Sequence, residues 1–124
     1  MNELINITTA KIGEEEVNAV NGRDLHRKLG SKQDYSTWIK RRIEKYEFIE
    51  GQDYLIHKFV EQLPSGAKHC IEYIISLDMA KELAMVENNE QGRKIRQYFI
   101  EVEKEFRRQA SRQFPSEDVL MSTL

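Results

Sequence analysis

The 124-residue chain has one cysteine, two prolines and no long hydrophobic run. The single cysteine, Cys70, excludes an internal disulfide and a cysteine-based zinc site, and it suits a reducing compartment. No segment approaches the roughly 18 consecutive apolar residues that a membrane-spanning helix needs. The first residues also lack the basic and apolar regions of a secretory signal peptide. We therefore expect a cytoplasmic protein that makes no contact with a membrane.

Motifs for catalysis and for cofactor binding are also missing. His26, His57, His69 and Cys70 do not have the spacing of a metal site. The glycines are scattered and form neither a phosphate-binding loop nor a dinucleotide fingerprint. Glu101, Glu103 and Glu105 lie among basic residues, which is typical of solvated ion pairs on a helix surface. The sequence therefore predicts a protein without enzymatic activity, cofactor or metal ion.

Charge is distributed unevenly along the chain. The formal net charge of -2 argues against a surface that binds nucleic acid everywhere. Between residues 23 and 45, however, eight basic residues stand against three acidic ones, a local net charge of +5. A run of like charges most often forms a solvated face. Whether this stretch instead forms a binding surface depends on the structure that it adopts.

Two short helices are predicted within the basic stretch. Asn21 can cap a helix over 22–29, which Gly30 would end. Asp34 can cap a second helix over 35–46 after a tight connection. Two short helices joined this closely are typical of a helix-turn-helix.

Two hairpins are predicted on either side of these helices. Segments 4–10 and 16–20 are rich in β-branched residues and flank a glycine. Segments 54–60 and 70–75 are also β-prone, and the loop 63–68 between them contains proline and glycine. A hairpin that follows a helix-turn-helix occupies the position of a wing.

The last part of the chain predicts two more helices, over 77–87 after the capping Ser76 and over 90–109. The size and composition fit one domain over 1–109, with a flexible tail or linker over 110–124. The expected fold class is α+β: a small winged helix-turn-helix-like domain with an N-terminal β-hairpin, a second hairpin as the wing and two C-terminal helices.

Helix 35–46 is amphipathic and carries much of the basic charge. One arc of this helix is apolar, and the opposite face presents hydroxyl and basic side chains that could reach bases and phosphates in a major groove. The alternative is an ordinary amphipathic helix with solvated cations, and Glu44 on the exposed face argues against DNA. The residues predicted to bind DNA or a partner are Lys32, Ser36, Thr37, Lys40, Arg41, Lys45 and Lys68.

Arg42 falls within the apolar arc, between Trp38 and Tyr46. An unpaired guanidinium there would be costly. We therefore expect Arg42 either to pair with a carboxylate or to pack its stem while the charged head reaches solvent.

A narrow apolar stripe runs along the last helix. Such a stripe more often belongs to a core, but its spacing also suits a seam with a second copy, and a homo-oligomer therefore stays open. The predicted oligomer seam consists of Ile95, Tyr98, Phe99, Val102 and Phe106.

Five blocks of sequence, in this order, resemble the AntA/AntB antirepressor domain family of bacteriophages and prophages. The resemblance extends from about residue 17 to residue 104. Two positions depart from the family pattern: Gly22, where alanine is usual, and Tyr35, where phenylalanine is usual. The blocks are 21–26 (NGRDLH), 34–43 (DYSTWIKRRI), 50–54 (EGQDY), 76–87 (SLDMAKELAMVE) and 96–101 (RQYFIE).

The resemblance implies a regulatory protein in the cytoplasm of a bacterial host cell. It would bind and inactivate a phage repressor and so favour lytic gene expression, either by covering the repressor's DNA surface or by stabilising a form that cannot dock. Family members are commonly the N-terminal part of a longer protein, which fits the linker predicted over 110–124. The alternative is a winged helix-turn-helix regulator that binds double-stranded DNA, with helix 35–46 in the major groove and the loop around Lys68 on the backbone.

Overall fold

A computed structural model of the chain describes residues 4–113. Over this range the fold is mixed α+β, as predicted, with four helices and one curled four-stranded antiparallel sheet. The elements in chain order are β1 (Thr8–Ile12), β2 (Glu15–Asn21), α1 (Gly22–Leu29), α2 (Tyr35–Tyr46), β3 (Tyr54–Leu63), β4 (Gly66–Ser76), α3 (Leu77–Glu87) and α4 (Glu90–Gln113).

The two predicted hairpins are present, and they join into a single sheet of order β1-β2-β4-β3. The join is short, because β2 pairs with β4 only through residues 19–21 and 74–76. β1 lies further along the chain than the predicted segment 4–10, whereas β2 contains the predicted segment 16–20 and extends it by one residue at each end. The turn between them places Gly13 in the left-handed region with a φ of 73°, so that Ile12 pairs directly with Glu15.

The second hairpin is much longer than predicted. The turn occupies only Pro64 and Ser65, and the remainder of the predicted loop 63–68 belongs to the strands. Gly66 makes this tight turn possible with a φ of 127°. The distal part of the hairpin extends past the short β2–β4 join, and we call residues 57–72 the β-arm.

The helix starts follow the predicted capping pattern. The side chains of Asn21, Asp34 and Ser76 accept hydrogen bonds from backbone N–H groups of the following turn at 2.8 to 3.2 Å. A hydrogen bond involving the Thr37 side chain, and then one from its backbone N–H, lower the pKa of the Asp34 carboxyl. Gly30 ends α1 in the left-handed conformation, as expected. Local sequence signals therefore set the boundaries of α1, α2 and α3.

The core lies between the sheet and the helices. In α2, Tyr35, Trp38 and Ile39 are buried as predicted and Ile43 is half-buried, but Tyr46 is exposed. Tyr46 lies in the last turn of α2, where its ring packs only at the surface. The largest fully buried side chains are Val20, Leu25, Leu29, Trp38, Ile39, Ile75, Met79, Leu83 and Phe99.

An ion-pair cluster fastens α3 to α4. The Lys81 Nζ atom lies 2.7 Å from Glu103 Oε1 and 3.2 Å from Asp78 Oδ1. Burial disfavours the charge on Lys81, but hydrogen bonds with Glu103 and Asp78 outweigh this effect and raise the pKa of Lys81. The half-buried Lys81–Glu103 pair thus links the two helices.

Helix α4 is longer than expected, because it continues past the predicted end at 109 to Gln113. The remainder of the predicted tail, residues 114–124, lies outside the described residues, and the predicted domain boundary stays a prediction. Within residues 4–113, no helix has the length and apolar character needed to cross a membrane.

Candidate functional site

Arg42 is paired with a carboxylate, which confirms the expectation from its position in the apolar arc of α2. Its Nη2 atom lies 3.4 Å from Glu87 Oε1 at the end of α3. The same carboxylate oxygen accepts a hydrogen bond of 3.0 Å from Trp38 Nε1. The Arg42 and Glu87 side chains are only 23% and 12% exposed. Glu87 therefore joins α2 to α3 through two donors and holds the basic helix in place.

A cleft of about 280 Å³ lies between α2 and the β-arm. Ser36 and Lys40 line it from α2, and Lys68 lines it from β4. The rings of Tyr35 and Tyr73 also line it and pack edge to face, with centroids 6.2 Å apart. The fold thus brings together three of the predicted binding residues, which come from two separate parts of the chain.

The cleft has a basic character that the neighbouring Glu72 carboxylate only partly neutralises. Arg23 lines the cleft and pairs with Glu72, with 3.2 Å between Nε and Oε1. The Arg23 guanidinium also lies 4.6 Å from the centre of the Tyr35 ring. Lys40 and Lys68 are exposed, and in the described part of the chain neither has a carboxylate within 4 Å. These two lysines are therefore available to an anionic group of a partner.

The other predicted binding residues do not line the cleft. Thr37 is engaged in the cap of α2, and the Lys45 ammonium lies 5.5 Å from the centre of the Tyr46 ring. Sequence reasoning missed Arg23 and His69 as cleft residues, although Arg23 belongs to the basic stretch and His69 is adjacent to Lys68. The four predicted residues that the structure leaves on the exposed surface outside the cleft are Lys32, Thr37, Arg41 and Lys45.

Tyr35 forms part of the cleft wall and is itself buried. Its hydroxyl has no hydrogen-bond partner of normal geometry among the residues that the structure describes. Burial, and then the nearby Glu72 carboxylate, raise the pKa of the Tyr35 hydroxyl, whereas the Arg23 guanidinium opposes this shift. The neutral phenol is therefore the form that the folded state favours.

We expect Tyr35→Phe to flatten the loss of stability at alkaline pH. Because the pKa of Tyr35 is raised above its ordinary value of 10.0, the folding stability that depends on its neutral phenol is present below pH 10. This stability is lost as pH rises further. Urea unfolding followed by Trp38 fluorescence at pH 8, 9.5 and 10.5 measures this difference. Tyr46→Phe, at an exposed position, is the matched control, and equal slopes for both variants would contradict the prediction.

The predicted seam on α4 is divided between the core and the surface. Ile95 and Phe99 are buried in the core of the chain itself. Tyr98 is half-buried and donates a hydrogen bond of 3.2 Å from its hydroxyl to the Ile5 carbonyl. Val102 is half-buried, and Phe106 is exposed. A seam with a second copy stays a prediction for Val102 and Phe106.

Comparison with known proteins identifies the family. The model of the family described as "AntA/AntB antirepressor" matches residues 20–89. The chain belongs to the AntA/AntB antirepressor family. The matched segment of this AntA/AntB domain runs from the end of β2 to the turn after α3, and it contains every residue that lines the cleft. No curated protein and no solved structure matches the chain.

Proposed function

We propose that this AntA/AntB domain is a phage or prophage antirepressor that binds and inactivates a phage repressor, which favours lytic gene expression. Family membership over residues 20–89 is the observation that carries this proposal. The domain acts by binding and not by catalysis, and it works in the cytoplasm of the bacterial host cell.

The basic cleft is the surface that we assign to the repressor. Lys40 and Lys68 lack carboxylate partners within the described residues, and the Ser36 hydroxyl lies beside them. These groups can pair with carboxylates on a protein surface. Exposed cations of this kind influence the choice of partner and the association rate more than the total affinity. Glu72 is occupied by Arg23 and Asn21, so it does not compete strongly for the two lysines.

A second candidate is direct binding of double-stranded DNA by a winged helix-turn-helix. Helices α1 and α2 would form the helix-turn-helix, and the β3–β4 hairpin would be the wing. The observation that favours this candidate is that Lys40 of the second helix and Lys68 of the hairpin line one cleft, where both can contact phosphates. Glu44, exposed on α2, argues against it.

The experiment that tests the proposal measures fluorescence anisotropy of labelled operator DNA with its cognate repressor bound. Adding the chain is expected to release the DNA, whereas DNA without repressor shows no binding. The variant Lys40→Ala/Lys68→Ala is expected to need about five-fold more protein for the same release, since two exposed charge contacts are removed. Lys94→Ala is the matched control, because Lys94 lies on α4 and pairs there with Glu90.

Three outcomes would contradict parts of this proposal. Salt-dependent binding to DNA alone, with the repressor complex intact, would favour the DNA-binding candidate. Failure of the wild-type chain to release the DNA would contradict antirepression. Equal release by the double variant and the control would remove the cleft as the docking surface.

A further inference from the structure

The β-arm exposes apolar side chains on both of its faces. Phe59 is 37% exposed on one face, whereas Val60 and Ile71 are 50% and 47% exposed on the other. A two-stranded hairpin without further cover is only marginally stable in water. Apolar groups of this kind do not suit a phosphate backbone, so the arm is suited to contact with protein.

The outer strand of the β-arm also has an open edge. β3 is the last strand of the sheet, and among residues 4–113 it pairs only with β4, apart from one bridge between Glu50 and Tyr54. Such an edge presents a row of unpaired N–H and C=O groups that can pair with a strand of another chain. The length of β3 beyond Tyr54 gives this edge room for a strand of similar length.

We propose that the β3 edges of two copies of this chain pair antiparallel, about a two-fold axis at Phe59. This inference is independent of the proposed function. The axis stands perpendicular to the sheet, so each residue lies opposite a residue that points to the same face. The numbers of two opposite residues must therefore differ by an even number. Few registers remain to be compared.

The charges of β3 discriminate among these registers. An axis at Lys58 sets two ammonium groups against each other, and an axis at Glu61 sets two carboxylates against each other. An axis at Val60 places Phe59 opposite the partner's Glu61. An axis at Phe59 instead pairs the two phenyl rings and places His57 opposite the partner subunit's Glu61 on both sides. This last register sets no like charges against each other, and Lys58 then lies opposite the partner's Val60.

The arm is already arranged for an aromatic contact at that axis. The rings of His57 and Phe59 are stacked, with centroids 5.5 Å apart and an interplanar angle of 21°. Two such stacks would meet across the axis, and aromatic cross-strand pairs are among the more favourable ones in sheets. The contact is small compared with a permanent interface, so the dimer is expected to depend on protein concentration.

Analytical ultracentrifugation of the full chain tests the proposal. The average mass of the wild-type protein is expected to rise from 14.7 kDa towards twice that value with concentration. Phe59→Glu and Phe59→Lys should each weaken association at least about tenfold, because like charges then meet at the axis. An equimolar mixture of the two variants should restore association, since a carboxylate then faces an ammonium group.

Ile71→Glu is the matched control, because it removes an exposed apolar side chain from the same arm but not from β3. Circular dichroism checks that each variant is folded, and disulfide formation by Phe59→Cys in a Cys70→Ser background gives a second measurement at the axis. A wild-type chain that stays monomeric overturns the proposal. It is also overturned if Ile71→Glu weakens association as much as Phe59→Glu, or if the folded Glu and Lys variants fail to associate and the cysteine variant fails to cross-link.

Discussion

Glu87→Ala is expected to destabilise the domain by about 3 kcal/mol, because it removes one member of a largely buried ion pair. Glu87 Oε1 accepts hydrogen bonds from Trp38 Nε1 at 3.0 Å and from Arg42 Nη2 at 3.4 Å. Without this carboxylate, the indole N–H and the guanidinium both lose their partner at the contact between α2 and α3. The Nε atom of Arg42 is also buried and has no hydrogen-bond partner among the residues that the structure describes, so the Glu87 contact carries the compensation of this guanidinium.

Urea denaturation followed by the fluorescence of Trp38, the one tryptophan in the sequence, measures this loss. Glu82→Ala is the matched control, since Glu82 is exposed on the same helix and its removal should change the free energy of unfolding by less than about 0.5 kcal/mol. Arg42→Ala should cost less than Glu87→Ala, because Trp38 then keeps its acceptor. A Glu87→Ala variant as stable as the control would contradict the role assigned to this carboxylate.

Local signals made several parts of this fold predictable. Asn21, Asp34 and Ser76 cap helices because each acts on N–H groups within three residues, so the sequence neighbours contain the whole interaction. The carboxylate partner of Arg42 was also foreseeable, since a cation in an apolar arc must be compensated. The identity of that partner was not, because Glu87 comes from a different helix far along the chain.

Features that depend on distant pairings could not be predicted. The join between β2 and β4 and the full length of the β-arm are fixed by backbone pairing across the sheet, which confines the predicted loop to the turn at Pro64 and Ser65 and draws Leu63 and Lys68 into the strands. The cleft could not be predicted for the same reason, because Lys40 and Lys68 line one cleft only when the strands of the sheet have paired. An apolar stripe on a helix also does not identify the surface that packs against it. Phe99 of this stripe is buried in the core of its own chain.

Gly22 and Tyr35 form a coupled pair, and a double-mutant cycle should reveal it. A Cβ atom on Gly22 would lie 2.7 Å from the Tyr35 hydroxyl oxygen, too close for the buried and rigid ring to accommodate easily. Gly22→Ala is therefore expected to destabilise the domain by about 2 kcal/mol. Tyr35→Phe alone should be close to neutral, because the buried hydroxyl that it removes has no hydrogen-bond partner of normal geometry among the described residues.

The double variant Gly22→Ala/Tyr35→Phe should regain most of the stability that Gly22→Ala loses. Removing the hydroxyl relieves the shortest contact and leaves the Tyr73 carbonyl oxygen 3.2 Å from the added Cβ, while alanine is favoured over glycine at the start of α1 by up to about 1 kcal/mol. The coupling energy should therefore exceed about 1 kcal/mol, as measured by urea denaturation of the four proteins. Gly22→Ala/Tyr46→Phe is the control and should show no rescue, since Tyr46 is exposed at the far end of α2.

Strictly additive effects in the cycle would show that the helix relaxes independently of Tyr35. Coupling would instead explain why both positions depart together from the alanine and phenylalanine usual in the family: the smaller residue at 22 makes room for the hydroxyl at 35.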